Sequence, residues 1–197
     1  MSNTRFALIR HGQTDWNRYG LMQGRTDIPL NETGRAQALE AAQALAALGE
    51  RWRMTVSGPL SRVRETASII AGYLGLPEGA THPDLTEISY GVAEGLLISE
   101  VLERWPDGDI PDQEPDAEIG PRGLRALESL RQQYTGGNLI VITHGGLIQA
   151  TLAHLSGKPL DSFPEVPNAS VSLIEHGEEG WHIRMVCGSA FEPELVV

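Results

Sequence analysis

The sequence predicts an α/β protein: a three-layer sandwich with a mostly parallel central sheet, helices on both faces and an antiparallel edge strand near the C-terminus. Three observations predict it. Short apolar runs alternate with helical stretches, the pattern of a parallel sheet covered on both sides. Two of those runs end in the same dipeptide: Phe6-Ala7-Leu8-Ile9-Arg10 leads into His11-Gly12, and Asn138-Leu139-Ile140-Val141-Ile142-Thr143 leads into His144-Gly145. Near the C-terminus the pattern changes. Ala169 to Glu175 and Trp181 to Val186 alternate around His176-Gly177-Glu178-Glu179-Gly180, which reads as an antiparallel hairpin.

The elements follow in order. Residues 4–10 read as a strand, and residues 11–31 as a long functional loop punctuated by Gly12, Gly20, Gly24 and Pro29. A helix from about Glu32 to Leu48 places Ala38, Leu39, Ala42, Leu45 and Ala46 on one stripe, and Gly49 stops it. Met54-Thr55-Val56 is a short strand. Pro59 precedes a helix over Leu60–Leu74 that ends before Gly75 and Pro77, and a faint strand is expected near Thr81. Residues 96–105 suggest a helix stopped by Pro106. The acidic, proline-rich stretch from Pro106 to Pro121 reads as a loop, either over a pocket or simply solvated. A helix over 122–134, the strand 138–143 and a helix from about Gly146 to His154 complete the α/β part. The tail from Phe191 to Val197 either docks on the sheet or hangs free.

With 197 residues, the chain suits one domain over 1–197 with a sizeable core. Apolar residues make up 41% and charged residues 21%, ordinary for a globular protein. No apolar run approaches the roughly 20 residues of a membrane span. The first apolar run leads straight into Arg10-His11, unlike a signal peptide. The single cysteine, Cys187, forms neither a disulfide framework nor a thiolate metal site. A cytoplasmic location is the simplest expectation. The net charge of -11 argues against a nucleic-acid surface. It does not argue against a phosphorylated substrate, because salt screens exposed charges beyond about 8 Å and a few arginines in a cleft dominate locally.

Ligands bind at the ends of parallel strands in open α/β sheets. Arg10-His11 stands at one such end. A guanidinium grips two phosphate oxygens at once. A neutral imidazole can attack phosphorus and split hydrolysis into two easier steps. Ser57-Gly58-Pro59-Leu60-Ser61-Arg62 opens a helix after a strand, and helix N-termini attract anions. A cation in that first turn is poorly placed unless an anion lies nearby, so Arg62 is assigned to the site. Arg64 points elsewhere and is read as a solvated charge. Phosphoryl transfer to water also needs an acid for the leaving oxygen and a base for the water. Glu87, in Asp84-Leu85-Thr86-Glu87-Ile88, is a candidate for both; taken alone it is an ordinary loop acid.

Together these segments resemble the histidine phosphatase superfamily, the phosphoglycerate mutase-like enzymes. The resemblance is carried by Arg10-His11-Gly12-Gln13-Thr14 with Asn17, Gln23-Gly24-Arg25-Thr26-Asp27-Ile28-Pro29-Leu30-Asn31 and Gly34-Arg35-Ala36-Gln37-Ala38. It continues through Pro59-Leu60-Ser61-Arg62, Leu85-Thr86-Glu87 with Glu94-Gly95, and His144-Gly145-Gly146, in the family's order. It implies His11 as the phosphorylated nucleophile and Arg10, Arg62 and His144 as the phosphoryl pocket. Glu87 becomes proton donor and then base. Asn17, Thr14, Gly24 and Gly145 are further substrate or phosphate contacts. No metal or other cofactor is implied.

Two positions depart from the family's pattern. Ala93-Glu94-Gly95 stands where relatives often carry Trp-Glu-Gly, and Glu118-Ile119-Gly120-Pro121 replaces a Gly-Glu-Ser signal. Both bear on substrate identity. His82, His154, His176 and His182 match nothing and are read as surface or packing residues. The expected function is hydrolysis of a small phosphorylated metabolite, with no nucleic-acid or membrane partner and a homodimer left open. The alternatives are a cofactor-dependent phosphoglycerate mutase, whose longer insertion after the acid this chain lacks, and a non-catalytic module on the same fold.

Overall fold

The computed structural model describes residues 3–191. Strands β1 (Thr4–Arg10), β2 (Trp52–Ser57) and β3 (Asn138–Thr143) pair in parallel, with β3 between the other two. Strands β4 (Val171–Gly177), β5 (Gly180–Val186) and β6 (Ser189–Ala190) continue outward from β1 in antiparallel fashion. The result is a six-stranded sheet of order β2-β3-β1-β4-β5-β6. The C-terminal hairpin thus builds an antiparallel extension of the sheet, with the short β6 at its edge.

The apolar runs of β1 and β3 are unbroken because both faces are buried. Phe6, Leu8, Leu139 and Val141 pack under α5 (Asp116–Gln133) and α6 (Gly145–Ser156). Ala7, Ile9, Ile140 and Ile142 pack under α2 (Glu32–Ala47) and α3 (Ser61–Leu74). Helix α2 is capped by Asn31, whose side chain accepts from Gly34 N at 2.9 Å, and α3 ends at Gly75 in the left-handed conformation.

Three sequence expectations change. The loop 11–31 contains a short helix, α1 (Asp15–Arg18), closed by a capping box between Thr14 and Asn17. No strand forms near Thr81. Pro77 and Pro83 bracket that segment and lack the N–H a ladder needs, leaving an isolated bridge between Thr55 and Glu78. Helix α5 begins at Asp116, so residues 116–121 are helical rather than loop, with Pro121 inside the helix. The lost backbone bond is tolerated because this part of α5 is buried against α6. A Cβ at Gly120 would stand 2.8 Å from Ala150 O. Of the tail, left open between docking and hanging free, only Phe191 is described; it stacks on Phe163 with ring centroids 5.8 Å apart, and residues 192–197 lie outside the described residues. Helix α4 (Ile98–Arg104) falls where the sequence places it.

The turn after β1 lies on the start of α2. A Cβ at Gly12 would come within 2.2 Å of Gly34 O, and one at Gly34 within 2.1 Å of Gln13 O. Neither backbone can retreat without moving the strand end. Gly12→Ala is therefore expected to cost about 3 kcal/mol, the upper range for overpacking. A lowered urea midpoint at unchanged slope checks this.

Candidate active site

The parallel pairing of β1 with β3 brings the two His-Gly turns together. Arg10 is in register with Thr143, and His11 N donates to Thr143 O at 3.0 Å. The His11 and His144 rings sit edge to face, with centroids 5.1 Å apart. Arg62, from the first turn of α3, completes the group. It is fully buried, and its Nε donates to His11 Nε2 at 3.2 Å.

These bonds fix the imidazole tautomers. His11 Nδ1 lies 2.7 Å from Gly12 O, an acceptor only, so Nδ1 carries the proton. Nε2 is left with its lone pair. Burial drives the His11 pKa well below its usual value, and Arg62 and Arg10 push it in the same direction. The ring is therefore neutral at physiological pH. His144 Nδ1 lies 3.3 Å from Arg62 Nη2, a donor, so His144 carries its proton on Nε2. Burial first, then His11 and the arginines, holds the His144 pKa well below normal.

Arg62 is held by main-chain oxygens: Nη1 donates to Thr26 O at 2.8 Å and Nη2 to Gly24 O at 2.6 Å. Burial lowers its pKa to about 10, so it keeps its charge at neutral pH. Arg10 Nη1 donates to Val166 O at 2.6 Å. Two buried donors in this group, Arg10 Nε and His144 Nε2, have no hydrogen-bond partner among protein atoms. Buried donors are nearly always paired, so unpaired ones in an arginine-rich pocket point to an anionic ligand.

Glu87 sits across the cleft at the start of α6. Its Oε1 accepts from Ile88 N at 3.0 Å and Leu147 N at 3.2 Å, and its Oε2 from Gly146 N at 3.4 Å. Burial raises its pKa, outweighing the opposing pull of those N–H groups and of Arg10 and Arg62. A carboxyl held in this way retains its proton further toward neutrality, as a general acid requires. Burial first, then the Glu87 charge, raises the neighbouring Tyr90 hydroxyl, which stays protonated.

The cleft has a volume of about 230 Å³, with Arg10, His11, Asn17, Glu87 and Gly145 in its wall. Arg62 and His144 adjoin His11 and are fully buried. Of the weaker sequence candidates, Asn17 and Gly145 reach the cleft. Asn17 Oδ1 accepts from Thr14 N at 3.2 Å, so its amide nitrogen is the donor end. Thr14 is fully buried, caps α1 and hydrogen-bonds Gln23. Gly24 acts through its carbonyl, on Arg62. The N-terminus of α3, read as an anion site, is taken by Asp27, whose Oδ1 accepts from Ser61 N at 2.9 Å and Ser61 Oγ at 2.7 Å. Arg64 is exposed.

Sequence reasoning missed several supports. Asn168 Nδ2 donates to His11 O at 3.0 Å and Asn17 Oδ1 at 3.3 Å, tying the His11 turn to α1. Glu94 accepts from Arg25 N and Thr26 N, each at 2.9 Å, and from Thr26 Oγ1 at 2.6 Å, so it braces the loop that holds Arg62. Gly95, beside the missing tryptophan position, lies against the Trp16 ring. Among the described residues no group of three or more His, Cys, Asp or Glu could hold a metal ion, and no helix is long and apolar enough to cross a membrane.

An open α/β sheet with two histidines and an arginine at the ends of its parallel strands, joined by a second arginine from α3 and by a glutamate, defines a class. The profile of the histidine phosphatase superfamily (branch 1) matches residues 6–187, and the chain belongs to that superfamily. It is 38% identical over 182 residues to an uncharacterized phosphatase, PhoE, of Bacillus subtilis (strain 168), covering 92% of this chain and 93% of that one. It is 32% identical over 192 residues to a metal-independent phosphoserine phosphatase of Arabidopsis thaliana, covering 91% and 79%. Among solved structures, the mycobacterial glucosyl-3-phosphoglycerate phosphatase in complex with VO3 superposes with a TM-score of 0.83 at 26% identity. That match covers 94% of this chain and 100% of the other. These relatives support a phosphatase.

Proposed function

We propose that the protein hydrolyses small phosphomonoesters, without a metal, through a phosphohistidine on His11. The observation that carries this reading is the state of the imidazole: Nδ1–H is committed to Gly12 O, and Nε2 keeps its lone pair within an arginine pocket that contains unpaired buried donors. In the first step Nε2 bonds to phosphorus as the ester P–O bond breaks, and Glu87 gives its proton to the departing alkoxide. In the second step ionised Glu87 takes a proton from water, whose oxygen displaces the imidazole and releases inorganic phosphate. Arg10, Arg62, His144 and Asn17 hold the phosphoryl oxygens in both steps. Phosphoryl transfer has a loose transition state, so positioning and charge supply most of the acceleration.

The test is a panel of sugar, glycerate and amino-acid phosphates incubated with purified protein and a chelator. Phosphate release from at least one member, undiminished by the chelator, is expected. Release from none would end this reading. Phosphate moving between the two positions of phosphoglycerate faster than it is released would instead favour the mutase.

A further inference from the structure

The residues assigned to the phosphoryl pocket stand on regular elements or directly at their ends, but Glu87 does not. It lies on an irregular segment between two 3-10 turns, Pro83–Leu85 and Gly91–Ala93, with no ladder to fix its main chain. A proton donor displaced by an ångström loses much of its effect, so something must hold that backbone.

Two arginines from different elements do so. Arg122 on α5 is 7% exposed; its Nη1 donates to Asp84 O and Thr86 O, each at 2.8 Å, and its Nη2 to Glu87 O at 3.4 Å. Arg25, from the loop after α1, sends Nε to the same Glu87 carbonyl at 3.2 Å. Glu114 locks the two together. Its Oε1 accepts from Arg122 Nε at 2.6 Å; its Oε2 accepts from Arg122 Nη2 at 2.9 Å, Arg25 Nη2 at 3.2 Å and Ser89 N at 3.4 Å. Three successive stretches of the acid's segment are thus gripped through their main chain, at 84, at 86–87 and at 89.

A buried arginine–glutamate pair contributes little net stability compared with apolar packing of the same volume. What it contributes here is geometry, because a planar guanidinium spends its donors on several carbonyls at fixed angles. The carboxylate also offsets the two positive charges close to the phosphoryl pocket. Glu114 belongs to the acidic, proline-rich stretch, and it faces inward onto arginines rather than outward to solvent.

We propose that Arg122, Arg25 and Glu114 form a clamp of positioning residues that sets Glu87 for proton delivery to the leaving oxygen. The clamp rests on the acid role given to Glu87 above. It touches no substrate and acts only through the backbone of 84–89.

The test compares two substrates by kcat/KM, which covers the steps through release of the first product. One is p-nitrophenyl phosphate, whose phenolate leaves without a proton. The other is the best alkyl phosphomonoester of the panel, whose alkoxide needs one. Arg25→Met is the first variant, because Arg25 is half-exposed and its loss leaves the core intact. It is expected to lower kcat/KM about tenfold on the alkyl ester and less than about twofold on the aryl ester, the signature of a displaced acid. Glu114→Gln should show the same selectivity. Arg122→Lys should not rescue it, because a lysine keeps the charge but not the fork. An equal loss on both substrates, no loss on either, or full activity in Arg122→Lys would overturn the clamp. Glu87→Gln serves as the reference. If it too lacks the selectivity, the acid assignment has failed; if it shows the selectivity while Arg25→Met and Glu114→Gln do not, only the clamp has failed.

Discussion

Replacing His11 with alanine is expected to abolish turnover, with a loss of about 10⁶-fold, the order found when a covalent nucleophile is removed from a preorganised site. The neighbouring imidazole does not stand ready to substitute. His144, its nearest imidazole, has its Nδ1 engaged with Arg62 Nη2 and so presents an N–H rather than a lone pair at Nε2. The variant should fold, because the ring is replaced by a smaller side chain and its one main-chain acceptor, Gly12 O, lies beside it in the same turn. The direct check is chemical. Wild-type protein mixed with substrate and quenched in alkali should carry a phosphoryl group on residue 11, detectable by mass spectrometry and lost in acid. Normal turnover by the alanine variant would end the proposed mechanism.

The second large effect belongs to Glu87. Glu87→Gln keeps the side chain's shape and, with its amide oxygen in place of Oε1, an acceptor for the N–H groups of Ile88 and Leu147, but its amide nitrogen faces Gly146 N without accepting from it and cannot deliver the acid's proton. A loss of about 10²–10⁴-fold is expected on alkyl phosphates. The wild-type pH profile follows from the two shifts. His11, with its pKa driven down by burial, stays nucleophilic into mildly acid solution. Glu87, with its pKa raised by burial, stays protonated further toward neutrality. The kcat/KM profile should therefore be a bell whose alkaline limb reports Glu87, and that limb should disappear in Glu87→Gln.

Stability moves with the same groups. A raised native pKa at Glu87 means its favourable contribution is present below the unfolded value, about 4.3, and fades as pH rises through the native one. Urea midpoints should therefore favour Glu87→Gln over wild type at neutral pH. Lowered native values at His11 and His144 act in the opposite direction: below about 6.5 the unfolded chain takes up protons that the native state refuses, so stability falls as the solution is acidified.

Most of the proposed catalytic group could be read from the sequence because its members are announced locally, whereas Glu87 stands out only through the resemblance. His11 and His144 close apolar strands, and Arg62 sits in a helix's first turn where a cation is out of place. The parallel sheet then does the rest, since strand ends that pair must meet. The supports were invisible for the opposite reason. Asn168 reaches His11 from 157 residues away, and Arg122 reaches Thr86 across 36. Nothing near either residue marks it as a partner of the site. Glu94 was visible only as part of a motif, and its task of bracing residues 25–26 depends on how the chain folds back. Pro121 misled in another way. Local rules end a helix there, but packing of α5 on α6 carries the helix through it. The faint strand at Thr81 failed on backbone chemistry that the sequence already displayed, a proline on each side.

The pairing of β1 with β3 also makes the site unequal in stiffness. The separation between His11 and His144, which the proposal makes nucleophile and part of the phosphoryl pocket, follows an inter-strand spacing of the buried sheet and changes only if the core opens. The separation between His11 and Glu87, the proposed nucleophile and acid, crosses from that sheet to an irregular segment tethered through side chains, of which Arg25 is half-exposed. Warming or mild denaturant therefore loosens proton delivery first, while the anion cradle persists. Over that range the molecule would be a phosphate binder that has lost most of its catalysis, and cooling would restore turnover without refolding.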